Sequence, residues 1–194
     1  MCRLPLVTET IGVRPFELTE QGVLRLLDQR LLPAEEVWVE LRTVEETAIA
    51  IETMQVRGAP AIGCVAALGL SVAAEDFEED PERFRKQVTD ALERLAHTRP
   101  TAVNLFVALA QMRQTLDDAP QEAPVSELRR RLRETATAHA ADDLQSCLQM
   151  GRNGARLLPD AGAVLTHCNA GALATAGYGT ALGVIRAAHE RGKN

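Results

Sequence analysis

The stretch that decides the fold reads Ala163-Val164-Leu165-Thr166-His167-Cys168-Asn169-Ala170-Gly171. Its apolar run predicts a buried strand at 163–165, and the Gly- and Ala-rich residues from Gly171 to His189 predict a helix behind it. A buried parallel strand needs strand neighbours and covering helices, so one β-α unit predicts a larger parallel α/β domain. Because the sequence ends at Asn194, we expect that domain to be incomplete. A small helical protein with one edge strand is the alternative.

The residues before this unit predict a small antiparallel sheet followed by helices. Apolar alternation between turn residues predicts strands at 7–13, 24–27 and 37–41. From Thr43 the apolar period becomes helical, and Thr43 with Glu46 forms a capping-box pattern. Further helices are predicted at 60–74, 81–96, 100–116 and from Ser126 to at least Met150.

These elements predict an α/β fold class with two parts. Residues 1–125 form an α+β N-terminal domain with a small antiparallel sheet and helices. Residues 126–194 form a long connecting helix and the first β-α unit of a Rossmann-like domain that is truncated.

Composition and charge narrow the function class. The net charge of -6 over 194 residues argues against nucleic acid or an anionic membrane as the main partner. The four cysteines lack CxxC spacing. This favours a reducing compartment and argues against a structural zinc site. Residues 1–9 lack the apolar core of a secretory signal, and the uncharged stretch 58–74 suits a buried helix better than a membrane span. We expect a cytoplasmic protein.

Two loops place an arginine shortly before a proline that is suited to a first helical turn. Arg57-Gly58-Ala59-Pro60 would combine free helical N–H groups with a bidentate guanidinium, which is how helix starts bind phosphate. Gly58 would allow close approach to the backbone. Arg99-Pro100 repeats the pattern. An ordinary helix start with a surface arginine remains open for each loop taken alone.

The third candidate is Cys168, where the predicted strand meets the predicted helix. Open α/β sheets bind ligands at this position, and a helix N-terminus favours a thiolate, whereas burial opposes it. The sequence leaves the protonation state open. The glycines of 177–183 depart from the dinucleotide fingerprint, and the four histidines lack paired metal-ligand spacing. Neither pattern predicts a cofactor.

Four strings resemble one enzyme family across essentially the whole chain. They are Leu27-Asp28-Gln29-Arg30-Leu31-Leu32-Pro33, Met54-Gln55-Val56-Arg57-Gly58-Ala59-Pro60-Ala61-Ile62-Gly63, Arg99-Pro100-Thr101-Ala102-Val103-Asn104-Leu105 and Thr166-His167-Cys168-Asn169-Ala170-Gly171. Together they resemble the 5-methylthioribose-1-phosphate isomerases. That family is related to the ribose-1,5-bisphosphate isomerases and to the regulatory subunits of translation initiation factor 2B.

The resemblance implies an aldose-ketose isomerase of methionine salvage that uses neither metal nor organic cofactor. It implies that Cys168 is catalytic and that Arg57, Gly58, Ala59 and Arg99 bind the phosphosugar substrate. For the complete protein we expect a homodimer.

The sequence departs from the family by ending early. The family's catalytic aspartate, in a Gly-Ala-Asp-Arg-Ile-like segment, and its later Gln and Asn-Lys substrate contacts are expected beyond Asn194, so the truncated chain is expected to have little or no activity. The alternative is a non-catalytic sugar-phosphate-binding or regulatory protein related to the initiation-factor subunits.

Overall fold

Three short antiparallel strands open the part of the chain that the structure, a computed structural model, describes, which is residues 13–194. They are β1 (Phe16–Leu18), β2 (Leu24–Leu27) and β3 (Trp38–Leu41), in the order β1-β2-β3. Phe16 lies opposite Leu26, which lies opposite Val39 on the other side. The predicted antiparallel sheet is confirmed, although β1 was not predicted. The strand predicted at 7–13 lies outside the described residues except for Val13, which is not in a strand.

Six α-helices follow the sheet. They are α1 (Val44–Glu52), α2 (Ala59–Ala73), α3 (Pro81–Ala96), α4 (Val103–Asp117), α5 (Val125–Ala155) and α6 (Ala181–Glu190). Single 3-10 turns occupy Ala74–Asp76 and Ala172–Ala174. The predicted capping box is confirmed at the start of α1, where Thr43 accepts from the Glu46 N–H and Glu46 accepts from the Thr43 N–H.

Helix α2 is the centre of the fold. Every residue from Ala61 to Ala73 is buried, because α1, α3, α4 and α5 pack around it. A helix that is apolar on all sides is stable in water only when other elements cover it. The stretch Ala59–Asp76 is long and apolar enough to cross a membrane by composition, but 78% of it is buried inside the protein. These features are those of a core helix, as the sequence predicted.

Helix α5 contacts two apolar clusters. Its first half contributes Leu128, Leu132 and Ala136 to the main cluster around α2. Its second half contributes Cys147 and Ala155 to a smaller cluster that includes Tyr178 and the inner face of α6. One rigid helix therefore joins the α2 core to the last helix. The boundary at 125–126 between two domains stays a prediction.

The structure corrects three predicted elements. Residues 163–165 are not in a strand, because no neighbouring strand is present among residues 13–194 to pair with them, and Leu165 is 91% exposed. The predicted helix from Gly171 to His189 is interrupted, so α6 begins only at Ala181. Helix α4 begins at Val103 rather than at Pro100.

Candidate functional site

The Arg57-Gly58-Ala59-Pro60 segment forms the start of α2, as predicted. Gly58 precedes the first helical residue with φ +94°, a conformation that favours glycine, and Pro60 lies in the first turn. The Arg57 side chain is exposed, and its Nε lies 3.4 Å from the Met54 carbonyl oxygen. No salt bridge pairs Arg57 with a carboxylate of residues 13–194. The guanidinium is therefore open to an anionic ligand.

The space next to Gly58 is filled by the protein itself. A Cβ on Gly58 would lie 2.5 Å from both the Cβ and the carbonyl oxygen of Ala174. We expected Gly58 to admit a ligand to the backbone, but on the side where a Cβ would project it admits the 3-10 turn Ala172–Ala174. That turn follows Cys168 in the chain. The start of α2 is thus in direct contact, through Ala174, with residues 168–176, which we call the Cys168 segment.

The residues after β2 complete one wall of this contact. Gln29 is buried, its N–H donates to the Gln55 carbonyl oxygen at 2.9 Å, and its Nε2 donates to the Leu173 carbonyl oxygen at 2.8 Å. Beside it, the buried Asp28 carboxylate accepts hydrogen bonds from the Arg30 backbone N–H at 3.0 Å, from Nε at 2.9 and 3.2 Å, and from Nη2 at 2.6 Å. Those hydrogen bonds, with a smaller contribution from the Arg57 charge, hold the pKa of Asp28 below its usual range.

Cys168 is exposed and has φ +68°, which is unusual for a residue with a side chain. Its predicted position directly before a long helix is wrong, since irregular backbone and a 3-10 turn separate it from α6. The helix-dipole argument for a thiolate is therefore not supported. What remains is an accessible thiol on a strained backbone, a combination that is found at functional sites.

Residues 170–182 form a compact loop behind the cysteine. The Ala170 carbonyl oxygen accepts from the N–H groups of Thr180 (2.9 Å) and Leu182 (3.3 Å), and Gly171 pairs with Gly179 in a β-bridge. Thr175, 1% exposed, accepts from the N–H groups of Gly177 and Gly179 at 3.2 and 3.0 Å. This local network explains why the Gly- and Ala-rich stretch does not continue as a helix.

Arg99 lies in the loop between α3 and α4 and is half-buried. Its carbonyl oxygen accepts from the Ala102 N–H at 3.0 Å, which makes a turn before α4. Asn104, in the first turn of α4, lies against α2, because a Cβ on Gly63 would lie 2.7 Å from the Asn104 carbonyl oxygen. The first turn of α4, which follows the Arg99 loop, therefore contacts α2 at Gly63, whereas the 3-10 turn Ala172–Ala174 contacts it at Gly58.

A half-buried carboxylate closes the site from α5. Asp143 Oδ2 accepts from the Ala176 N–H at 2.7 Å. Burial raises the pKa of Asp143, while the Ala176 N–H and the His139 charge oppose that rise. Burial, with a contribution from Asp143, also raises the pKa of the Cys147 thiol to about 11 and that of the Cys64 thiol well above its usual range. Both thiols are therefore protonated near neutral pH, whereas a nucleophilic cysteine reacts as the thiolate.

Sequence reasoning missed two residues that shape this site, Gln29 and Asp143. Gln29 was quoted within a family string but received no role. Asp143 lies four residues after His139 on a long helix, and the carboxylate-bearing dipeptide Asp142-Asp143 was the only signal. Their contacts join residues 144 and 33 positions apart, so no local pattern indicates them.

Comparison with known proteins places the chain among related sequences. The model of the "Initiation factor 2 subunit family" matches residues 55–194. A methylthioribose-1-phosphate isomerase of Syntrophotalea carbinolica is 50% identical over 184 residues, covering 94% of this chain and 53% of the relative. One from Anaeromyxobacter is 51% identical over 181 residues, covering 93% of this chain and 50% of the relative. The chain spans about half the length of these curated relatives.

Two solved structures have the same fold. The 5-methylthioribose 1-phosphate isomerase from Pyrococcus horikoshii OT3 matches with a TM-score of 0.89 and 38% identity, covering 99% of this chain and 54% of that one. The translation initiation factor eIF-2B, subunit delta, from A. fulgidus matches with a TM-score of 0.80 and 40% identity, covering 94% and 52%. With the family model matching well over half of its residues, the chain belongs to the initiation factor 2 subunit family.

Proposed function

We propose that this chain supplies the phosphosugar-binding and cysteine-bearing half of a 5-methylthioribose-1-phosphate isomerase. The enzyme converts 5-methylthioribose 1-phosphate to 5-methylthioribulose 1-phosphate in methionine salvage. The observation that carries this proposal is the contact of the Cys168 segment with the start of α2 through Ala174 and Gly58. The chain in which it occurs is 50% identical over 184 residues to a curated isomerase. The contact brings a thiol-bearing segment to an arginine-bearing helix start.

Each residue of the proposed site has a role that fits its position. Arg57 and the free N–H groups at the start of α2, including that of Ala59, bind the substrate phosphate, and Gly58 sets the backbone there. Arg99 adds a second cation from the loop before α4. Arg99 is half-buried in that loop, and its guanidinium is proposed to contact the sugar phosphate.

The reaction needs acid-base help because the anomeric phosphate blocks simple opening of the sugar ring. After opening, a hydrogen moves from C2 to C1 and the C2 hydroxyl becomes a carbonyl. Cys168 is proposed to act in this transfer as a proton-transferring group, since its thiol is accessible and no other cysteine among residues 13–194 is exposed. The relatives are about twice as long, so their second half is proposed to complete the site.

Two further parts of the proposal concern location and assembly. We place the protein in the cytoplasm, where a reducing environment preserves the unpaired thiols of Cys64, Cys147 and Cys168. The net charge of -6 supports a small anionic substrate captured locally rather than nucleic acid or membrane. For the complete protein we propose a homodimer, which light scattering at several concentrations would test.

The test follows conversion of 5-methylthioribose 1-phosphate by NMR, with the chain fused to the second half of a curated relative, because the chain alone is expected to have little or no activity. We expect Cys168→Ser to lower turnover by about 10²-fold or more, as loss of an acid-base group does. Arg57→Ala should weaken substrate binding, whereas Arg152→Ala, the matched removal of an exposed arginine from α5, should change neither. Full turnover by Cys168→Ser would contradict the proposed role of the thiol.

The second candidate is a non-catalytic regulatory protein that binds a sugar phosphate. The match to the initiation-factor subunit delta structure, at 40% identity, favours it. It predicts calorimetric binding of the phosphosugar that depends on Arg57 but not on Cys168, without turnover. The Cys168→Ser variant therefore separates the two candidates.

A further inference from the structure

Two side chains from distant parts of the chain bind the backbone at Leu173, within the 3-10 turn behind Cys168, and at Ala176, just after that turn. Gln29, which follows β2, donates from Nε2 to the Leu173 carbonyl oxygen at 2.8 Å. Asp143, on α5, accepts from the Ala176 N–H at 2.7 Å. We call these two hydrogen bonds the Gln29–Asp143 clamp.

The turn held by the clamp packs against Gly58. Between the two clamped residues lies Ala174, whose Cβ and carbonyl oxygen occupy the space that a side chain on Gly58 would need. Gly58 carries a left-handed φ of +94°, so both its backbone and its missing Cβ suit this contact. Burying a polar side chain costs free energy unless it forms a hydrogen bond. Each side chain of the clamp must therefore offer the right donor or acceptor as well as lie in the right place.

A series of hydrogen bonds joins the clamped turn to the residues next to Cys168. Thr175 binds the N–H groups of Gly177 and Gly179, and Gly179 pairs with Gly171. Ala170, two positions after Cys168, accepts from the N–H groups of Thr180 and Leu182. Residues 170–182 therefore form one hydrogen-bonded unit, which Gln29 and Asp143 join to the residues after β2 and to α5. Tyr178 of the same unit donates to Glu190 of α6 at 3.1 Å.

We propose that Gln29 and Asp143 are positioning residues, which fix the Cys168 segment relative to the Arg57 loop. The catalytic meaning of this positioning rests on the proposed function, whereas the clamp itself does not. The structure gives the two residues opposite chemical requirements: position 29 must donate a hydrogen bond, and position 143 must accept one.

This opposition allows isosteric variants to test the clamp. Gln29→Glu keeps the shape but places a carboxylate against the Leu173 carbonyl oxygen, so it cannot donate when ionised. Asp143→Asn keeps an acceptor oxygen for the Ala176 N–H, whereas Asp143→Ala removes it. The exposed neighbours on α5 provide matched controls, Gln145→Glu and Asp142→Asn.

The first readout is amide exchange in the ¹⁵N-labelled 194-residue chain, measured by NMR without substrate. We expect Gln29→Glu and Asp143→Ala to speed exchange at Ala174–Gly177 by about tenfold relative to the α2 amides, the scale of a lost hydrogen bond to a buried polar group. Asp143→Asn and both controls should match the wild type. If Gln29→Glu fails to fold, Gln29→Met provides the loss of the donor without adding charge.

The second readout is the alkylation rate of Cys168 by iodoacetamide, quantified on its peptide by mass spectrometry. A changed rate in Asp143→Ala that returns to the wild-type value in Asp143→Asn would support positioning. Unchanged exchange in Gln29→Glu and Asp143→Ala would overturn the proposal, as would equal behaviour of Asp143→Asn and Asp143→Ala.

Turnover then distinguishes this proposal from the proposed function. If the protein is an isomerase, Gln29→Glu should lower kcat by up to about 10²-fold with a smaller change in KM, since misplacement of a catalytic group has that effect. Turnover is measured in the chain fused to the second half of a curated relative, because the chain alone is expected to have little or no activity. If that fusion shows no turnover, the proposed function fails, while the exchange and alkylation results still decide whether the clamp exists.

Discussion

At the scale of single residues, Gly58 is a position where both the backbone conformation and the packing require glycine. We predict that Gly58→Ala lowers the free energy of unfolding by about 2 kcal/mol, through the strained φ and the clash with Ala174. Gly192→Ala is the matched control, because Gly192 has a similar φ of +78° with no atom within 4 Å of an added Cβ. Urea unfolding of both variants separates the two causes. Equal losses would show that Ala174 does not rest on Gly58.

Asp143 gives a prediction on pH. Its pKa is raised in the folded state, so its contribution to stability is full below the unfolded pKa and is lost as pH rises through the folded pKa. Asp143→Asn removes this loss, and we expect its stability to exceed that of the wild type at pH 7 and to match it near pH 3. The charge of His139 acts on Asp143, and Asp143 in turn acts on Cys64 and Cys147, so the test is the difference between the two urea-unfolding profiles against pH. A difference that is constant with pH would contradict the raised pKa.

At the scale of secondary-structure elements, the start of α1 is fixed by its capping box. Thr43→Ala removes the acceptor for the Glu46 N–H, which lies 3.1 Å from Thr43 Oγ1. We expect a loss of about 1 kcal/mol in the free energy of unfolding, while Thr43→Ser, which keeps the hydroxyl, should lose much less. Thermal unfolding of the two variants checks this, and equal effects would assign the loss to packing of the threonine methyl group.

The elements that sequence reasoning predicted well are those with local signals. Helix α3 runs from Pro81 to Ala96 as predicted, because Asp80 caps it and Phe84, Val88, Leu92 and Leu95 repeat at helical spacing and are buried. The late start of α6 was not predictable in this way. Alanine and glycine at 171–180 suit a helix by composition, but Gly177 and Gly179 adopt φ of +134° and +97°, and Thr175 captures their N–H groups.

The candidate site divides along the same line. Arg57, Gly58 and Ala59 are neighbours in sequence, so their grouping at a helix start could be predicted. The local sequence pattern could not decide whether a strand forms before Cys168, because a strand exists only when it pairs with a neighbouring strand. Gln29 and Asp143 act across long sequence separations, and only the folded chain shows that they meet the same turn.

At the scale of the whole molecule, stability is unevenly distributed. The α2 core is enclosed by four helices, whereas Val164 and Leu165 are 48% and 91% exposed. We predict that amides 163–166 exchange at nearly the rate of an unstructured peptide while α2 amides exchange only on global unfolding. Hydrogen exchange on a dilute sample measures both, and strong protection at 163–166 would show that these residues have a partner strand.

The seating of Ala174 on Gly58 has a thermodynamic consequence for the molecule as a whole. The contact joins the helix start at Gly58 to Ala174, which lies more than a hundred positions later in the chain. Suppose that an anion binds the helix start more tightly when Ala174 is packed on Gly58 than when it is not. By linkage, the bound anion then favours the packed state by the same factor. Occupancy at Arg57 would then narrow the range of positions open to the Cys168 thiol.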